Sequence, residues 1–197
     1  MNRSTRSAAA EGEEQSEARL YLLQGAPAVG KLTLARELEA RTGAIVVDNR
    51  LVNNAVFVPL GMGRDAEVTL EQTDALRARV LDVVLEATLA APAALSHVFT
   101  NWLPDDPANA AHVERLRELA RRRGARFVPV WMSASAEALT ARVASPGRAE
   151  RSKLVDPAVL RELLTRPELP PPADALTLEL SETTPAQAAQ QLLAALA

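Results

Sequence analysis

Short apolar runs alternate with longer amphipathic segments five times along the chain. Each apolar run has the length of a buried strand, and each longer segment repeats its apolar residues at helical spacing. Strands that alternate with helices in this way form a parallel sheet covered by helices on both faces, so the expected fold class is α/β. The predicted strands are residues 19–24, 44–48, 94–99, 126–132 and 175–180. The predicted helices are residues 31–41, 66–91, 107–123, 135–144, 157–165 and 184 to the C-terminus.

One residue conflicts with its predicted strand. Pro129 lies inside the fourth apolar run, and a proline has no N–H group to donate to a neighbouring strand. A bulge or an unpaired edge is therefore expected at this position.

Composition excludes several classes of function. The 197-residue chain has a formal net charge of −3, whereas a dedicated nucleic-acid binder is usually basic. It has no cysteine and only two histidines, which argues against disulfides and against a multi-histidine metal centre. It shows no apolar run of about 18 residues that would predict a membrane span, and its start lacks the apolar stretch of a signal peptide. We therefore expect a cytoplasmic protein that binds neither nucleic acid nor a membrane, with its oligomeric state left open.

A glycine-containing loop connects the first predicted strand to the first predicted helix. Backbone N–H groups of such a loop turn inward around a phosphate, and the N-terminus of the helix adds its positive dipole end. Lys31 at that N-terminus is unfavourable without an anion, but it can reach the β and γ phosphates of a nucleotide. The loop therefore predicts a site for ATP, with a plain strand–turn–helix corner as the alternative. The predicted binding residues are Gly25, Ala26, Ala28, Val29, Gly30, Lys31, Leu32 and Thr33.

The hydroxyl that would serve Mg²⁺ is displaced by one position. The general phosphate-loop pattern has Ser or Thr directly after the lysine, whereas this chain has Leu32 there and Thr33 next. Thr33 is therefore the predicted Mg²⁺ ligand. The third predicted strand is followed by Thr100 and Asn101 instead of an Asp, so the acidic partner of the metal is not identified.

Polar residues follow the strands at the edge of the sheet where the phosphate loop is expected. Asp48 ends an apolar strand, and a charged side chain at that position is expected to have a partner or a function. It is predicted either to orient an acceptor hydroxyl or contact Mg²⁺ indirectly, or to cap the following helix. Arg50 either holds an anionic acceptor or is solvated. Asp105 and Asp106 are further candidates near Mg²⁺, with helix capping as the alternative for Asp106.

A polar segment, residues 145–157, interrupts the alternation between the fourth and fifth strands. It contains Arg148 and Arg151. Phosphoryl transfer needs cations at the transferred group and a closing segment that excludes water, so this segment is predicted to be a lid, with a solvated basic loop as the alternative. Residues 1–17 contain almost no large apolar side chain and are expected to be a flexible tail before a single domain at residues 18–197.

The histidines and tryptophans are interpreted as structural residues. His97 alternates with apolar neighbours inside a strand, which is typical of a buried residue on a sheet face. His112 is predicted to lie on a helix surface. Trp102 and Trp131 are expected to pack against the protein instead of stacking on adenine.

These features resemble the small phosphate-loop kinases, which comprise the nucleoside-monophosphate, shikimate and gluconate kinases and related antibiotic phosphotransferases. The chain looks most like bacterial members that are often labelled simply as ATP-binding. The resemblance covers residues 19–197 and implies a three-layer α/β/α fold whose five strands have the order 2-3-1-4-5. It also implies ATP and Mg²⁺ as cofactors, Arg142 near the adenine or the phosphates, and Arg148 or Arg151 acting from a mobile lid. It is carried by Gly25-x-Pro-x-x-Gly30-Lys31-x-Thr33, by Asp48, by the segment Leu139 to Arg151, and by the final strand and helix.

The resulting hypothesis is a kinase that transfers the γ-phosphoryl group of ATP to a hydroxyl of a small molecule. Lys31 and the lid arginines would stabilise charge, and Asp48 would orient the acceptor. The chain lacks the Asp-Gly-Phe-Pro-Arg signature of adenylate kinases after the third strand, which argues against AMP as the acceptor. The alternatives are an ATP-binding regulatory module, a slow ATPase, or a scaffold that retains only the loop.

Overall fold

The computed structural model describes residues 17–62, 68–144 and 156–197. The predicted tail lies almost entirely outside these ranges, as does most of the predicted lid with Arg148 and Arg151. The strands are β1 (Arg19–Gly25), β2 (Ile45–Asp48), β3 (His97–Asn101), β4 (Arg126–Ser133) and β5 (Leu176–Glu179). The α-helices are α1 (Lys31–Thr42), α2 (Asn49–Phe57), α3 (Asp74–Ala90), α4 (Pro107–Arg122), α5 (Ala136–Val143), α6 (Pro157–Leu164) and α7 (Pro185–Ala194). A 3₁₀ turn, Glu71–Thr73, precedes α3.

The strands form one parallel sheet in the order β2-β3-β1-β4-β5, which confirms the predicted fold. β1 lies at the centre and pairs with β3 on one side and β4 on the other. The carboxyl end of β1 is therefore flanked by the ends of two further strands, and ligands of such sheets bind at this edge. Within the described ranges, no helix is long and apolar enough to cross a membrane.

Alternate residues of β1 bury their side chains on opposite faces of the sheet. Tyr21 and Leu23 belong to a core formed with α1, α5, α6 and α7. Leu20 and Leu22 belong to a second core, formed with α3 and α4. All four side chains are almost fully buried, which explains why this strand reads as a continuous apolar run.

Pro129 lies in β4 without a bulge. The pairing of β4 with β1 is continuous from Arg126 to Met132. β5 pairs with β4 only from Val130 onward, so Pro129 has no strand opposite it on that side. The expectation of an unpaired edge at this proline is therefore confirmed, whereas a bulge is absent.

The third strand begins later than predicted. Residues 94–96 precede β3, because Leu95 donates a backbone hydrogen bond of 3.0 Å to Pro92 in a turn after α3. The strand also ends later than predicted, so that Thr100 and Asn101 are its last two residues. The buried guanidinium of Arg123 stabilises this turn, because it donates hydrogen bonds to the carbonyl groups of Thr88, Ala91, Pro92 and Leu95.

The two histidines are both buried. His97 lies in β3 at 4 % exposure, as predicted. His112 was expected on the surface of its helix, and this prediction is wrong, because the residue is only 8 % exposed. It shares the buried face of α4 with Val113, Leu116 and Leu119. Neither ring nitrogen of His112 has a hydrogen-bond partner among the described residues.

The burial of His112 predicts a loss of stability at acidic pH. Burial, with a smaller contribution from the positive charge of Arg115, lowers the pKa of His112 from 6.5 to about 4. The unfolded chain takes up a proton at pH values where the folded protein does not, so this contribution to stability is complete above pH 6.5 and is lost as the pH falls toward 4. Replacing His112 with leucine should remove about 2 kcal/mol of the decline in unfolding free energy between pH 7 and pH 4.5.

Urea denaturation of the wild type and of His112→Leu at several pH values measures this difference. Because His97 remains in both proteins, its own contribution cancels. Parallel curves for the two proteins over this pH range would contradict the prediction.

Candidate active site at the phosphate loop

The loop between β1 and α1 adopts a backbone conformation that leaves the helix N-terminus open. Gly30 is the N-cap residue of α1 with φ of 114°, and no side chain in the described ranges caps the first turn. Gly25 begins the loop with φ of 152°. The first N–H groups of a helix need an acceptor, and an anion can supply it.

Ala28 adopts a backbone conformation in the loop that favours glycine. Its φ is 70°, and it is the one residue other than glycine with positive φ in the described ranges. An L-residue adopts this left-handed conformation at a cost of about 1 kcal/mol, whereas glycine adopts it freely. Replacing Ala28 with glycine would therefore relieve this strain without changing the backbone of the loop.

Lys31 is the first residue of α1, and its side chain bends back over the loop. Its Nζ donates to the carbonyl oxygens of Gly25, at 2.5 Å, and Ala26, at 2.9 Å. The ammonium group thus lies across the loop that is predicted to hold the phosphates. Thr33, two positions further along the helix, is exposed.

Asp48 has three partners at the carboxyl end of β2. It caps α2 by accepting a 3.3 Å hydrogen bond from the backbone N–H of Arg50. It also accepts from the Arg50 guanidinium at 2.9 Å and from the Thr100 hydroxyl at 3.1 Å. The capping alternative is therefore confirmed, and Arg50 is ion-paired with the residue that caps its helix. A role in orienting an acceptor stays a prediction.

Arg142 connects the phosphate loop to the segment after β5. Its guanidinium donates to the carbonyl oxygen of Val29 at 3.0 Å and to the carbonyl oxygens of Leu180 and Ser181. The sequence prediction placed Arg142 near the nucleotide, and the structure brings it into contact with the predicted phosphate loop. Arg148 and Arg151 lie outside the described residues.

Residues 166–169, here called the strap, cross the edge of the sheet beside this loop. The backbone N–H of Asp105 donates to Pro167 at 2.9 Å, and that of Leu169 donates to Leu103 at 2.9 Å. The side chain of Gln24, directly before the loop, donates to the Leu169 carbonyl at 2.8 Å. Gln24 is buried, and its amide oxygen has no partner among the described residues.

The strap carries Glu168, a site residue that sequence reasoning missed. Glu168 is half-buried opposite Pro104, in the segment that follows β3. Burial raises the pKa of Glu168 above its ordinary value, while the positive charge of Lys31 and a hydrogen bond with Trp102 act in the opposite direction. The carboxyl group therefore lies near the phosphate-loop lysine.

Of the remaining acidic candidates, Asp105 is exposed and Asp106 has a structural role. Asp106 caps α4, because its side chain accepts from the backbone N–H of Asn109 at 2.9 Å. Across the described ranges, no group of three or more His, Asp or Glu side chains is arranged to hold a metal ion. A metal at this site would therefore depend on ligands from the nucleotide and water as well as from the protein.

The sheet order and the loop define a three-layer α/β/α protein with a phosphate loop. A family model described as AAA domain matches residues 20–170, and the chain belongs to this family. No curated protein matches the chain.

Solved structures with the same fold include several kinases. A "putative kinase" from Chloroflexus aurantiacus has a TM-score of 0.66 at 19% identity, over 91% of this chain and 96% of that one. A sugar kinase from Janibacter has a TM-score of 0.61 at 19% identity, over 91% and 94%. The Mycobacterium tuberculosis APS kinase, in complex with AMPPNP and APS, has a TM-score of 0.60 at 18% identity, over 91% and 98%. These likenesses confirm the fold expected from the small phosphate-loop kinases.

Proposed function

We propose that this protein transfers the γ-phosphoryl group of ATP to a hydroxyl group of a small molecule. The observation that carries the proposal is the position of Lys31, which lies over the loop at an open helix N-terminus. A cation at that place is unfavourable unless an anion binds there. The similar folds of a sugar kinase and an APS kinase support phosphoryl transfer over other uses of a nucleotide.

The chain's own groups suit a reaction in which catalysis consists of positioning and charge stabilisation. The loop N–H groups and Lys31 would bind the β and γ phosphates, and Arg142 would fix the loop through the Val29 carbonyl. Asp48 would orient the acceptor hydroxyl from the carboxyl end of β2. Arg148 and Arg151 would approach from the lid and help to exclude water.

The oxygen donors at this edge of the sheet fit Mg²⁺, which binds few protein ligands beside phosphates and water. Thr33, exposed in the first turn of α1, would hold the ion with the phosphates. When bound, the ion would neutralise charge on the phosphate oxygens. The remaining steps depend on residues of the chain.

An acceptor screen tests the proposal. Wild-type protein is incubated with ATP and Mg²⁺ and with panels of sugars, nucleosides, hydroxy acids and hydroxyl-bearing antibiotics, and ADP release is recorded with and without each panel. At least one class should raise ADP release well above the rate without acceptor, and mass spectrometry should show a product heavier by one phosphoryl group. If every class gives only the basal rate, phosphotransferase activity is excluded for those acceptors and hydrolysis is favoured.

The hydrogen bonds of Asp48 favour a second candidate function, that of an ATP-binding regulatory module or slow ATPase. Arg50, Thr100 and a backbone N–H group already occupy the carboxylate. If these contacts persist with nucleotide bound, no group at β2 would orient an acceptor. ATP binding with only slow hydrolysis, unaffected by Asp48→Asn, would identify this case.

A further inference from the structure

The end of β3 lacks the acid that commonly accompanies Mg²⁺ in phosphate-loop proteins, and Thr100 and Asn101 stand there. The strap lies against the residues that directly follow this strand end. Two backbone hydrogen bonds of 2.9 Å join it to Leu103 and Asp105, and Gln24 ties it to the end of β1. The strap therefore brings a carboxyl group from a distant part of the sequence to the edge between β1 and β3.

Glu168 is the carboxyl group delivered in this way. It is half-buried on the strap opposite Pro104, and the positive charge of Lys31 acts on its carboxyl group. If Lys31 binds the terminal phosphates, Glu168 lies close to the same phosphates. Two anionic groups brought together in a partly buried place repel strongly, and a divalent cation between them reverses the sign of that interaction.

Two other carboxylates near this edge, Asp48 and Asp106, are held by structural contacts, and that of Asp105 is exposed. Both oxygens of Asp48 accept hydrogen bonds, Oδ1 from Thr100 and a backbone N–H and Oδ2 from the Arg50 guanidinium. Asp106 caps α4 and also bonds the Asn109 side chain at 2.5 Å. Glu168, in contrast, interacts with the lysine that belongs to the phosphate loop itself.

We propose that Glu168 is the acidic partner of the Mg²⁺ that accompanies the nucleotide, in place of the carboxylate that β3 lacks. This inference rests on the nucleotide binding of the proposed function and does not depend on an acceptor. Its consequence is a coupling between two ligands. Glu168 opposes the binding of metal-free nucleotide and favours the nucleotide with Mg²⁺, so it makes binding strongly dependent on the metal.

The coupling is measured with AMPPNP by isothermal titration calorimetry, once with excess Mg²⁺ and once with EDTA. The ratio of the two dissociation constants is compared between the wild type and Glu168→Gln. Removal of the charge should lower this ratio about tenfold or more, because affinity falls with Mg²⁺ and is unchanged or higher in EDTA. Glu162→Gln is the matched control, since it removes the same charge from an exposed position on α6 and should keep the wild-type ratio.

A second variant separates metal support from a structural role. Glu168→Asp keeps the carboxyl group but shortens the side chain by one methylene group, and it should lower the ratio less than Glu168→Gln does. A wild-type ratio in both variants would overturn the proposal, as would an equal loss of affinity with and without Mg²⁺. Loss of coupling in Asp48→Asn, with coupling retained in Glu168→Gln, would also overturn it and assign the metal to β2.

The outcome is independent of the proposed reaction. A wild type that binds AMPPNP with Mg²⁺ but turns over no acceptor would remove the phosphotransferase proposal and leave the coupling measurable. Acceptor-dependent turnover combined with unchanged coupling in Glu168→Gln would remove the role of Glu168 and leave the kinase proposal standing.

Discussion

Replacement of Lys31 with methionine should reduce acceptor-dependent ADP release by about 100-fold or more, because one positioned charge on a transition-state oxygen has an effect of this size. The same change should abolish the rise in thermal midpoint that ATP and Mg²⁺ give the wild type. Without ligand, the midpoint should change little. The variant loses two hydrogen bonds to Gly25 and Ala26, but it also loses a positive charge at the N-terminus of α1.

Arg36→Met is the matched control for this change. Arg36 lies on the same helix, and its side chain is 62% exposed in an ion pair with Glu39. Surface pairs of this kind contribute little to stability, so the control should keep both turnover and the thermal response to ATP. If Lys31→Met retained the response to ATP and Mg²⁺, the loop would not be the nucleotide site.

The fold was predictable from the sequence because its signals are local. Burial on both faces makes β1 a continuous apolar run, and Gly43 ends α1 in the left-handed conformation that favours glycine. The strand order came from the resemblance to small phosphate-loop kinases and is confirmed. The start of β3 was misplaced, because Ala94 and Leu95 extend the apolar run of the strand although they belong to the turn after α3.

The error at His112 had a signal that could have corrected it. His112 lies four residues before Leu116 and seven before Leu119, which is the spacing of one helix face. A histidine on such a stripe is expected to be buried with its neighbours. An imidazole is polar, but its position on the apolar face of α4 decides that it is buried.

Glu168 could not have been found from local patterns. It lies in a proline-rich stretch, and its position depends on a pairing with Pro104, which is 64 residues earlier in the chain. Such contacts between distant segments leave no periodicity in the sequence. The catalytic roles of Asp48, Arg148 and Arg151 and the metal role of Thr33 likewise stay predictions, because they depend on bound ligands and on residues beyond the described ranges.

Replacement of Gly25 with alanine should lower the free energy of unfolding by about 3 kcal/mol or more and abolish the thermal response to ATP and Mg²⁺. Gly25 pairs with Met132 at the end of β1, and a Cβ atom at this position would overlap the carbonyl oxygen of Met132. That oxygen belongs to the backbone of β4, so no side-chain rotation relieves the overlap. The loop must shift away from β4, and the N–H groups that follow it lose their arrangement.

Gly43→Ala separates this overlap from backbone strain alone. Gly43 also has positive φ, at 71°, but a Cβ atom there would meet nothing within 4 Å. Its replacement should lower stability by about 1 kcal/mol and leave the response to ATP intact. Urea denaturation and thermal shifts of the two variants measure both effects. Equal losses of stability would mean that the backbone conformation, and not the close approach of β1 to β4, makes glycine necessary at the start of the loop.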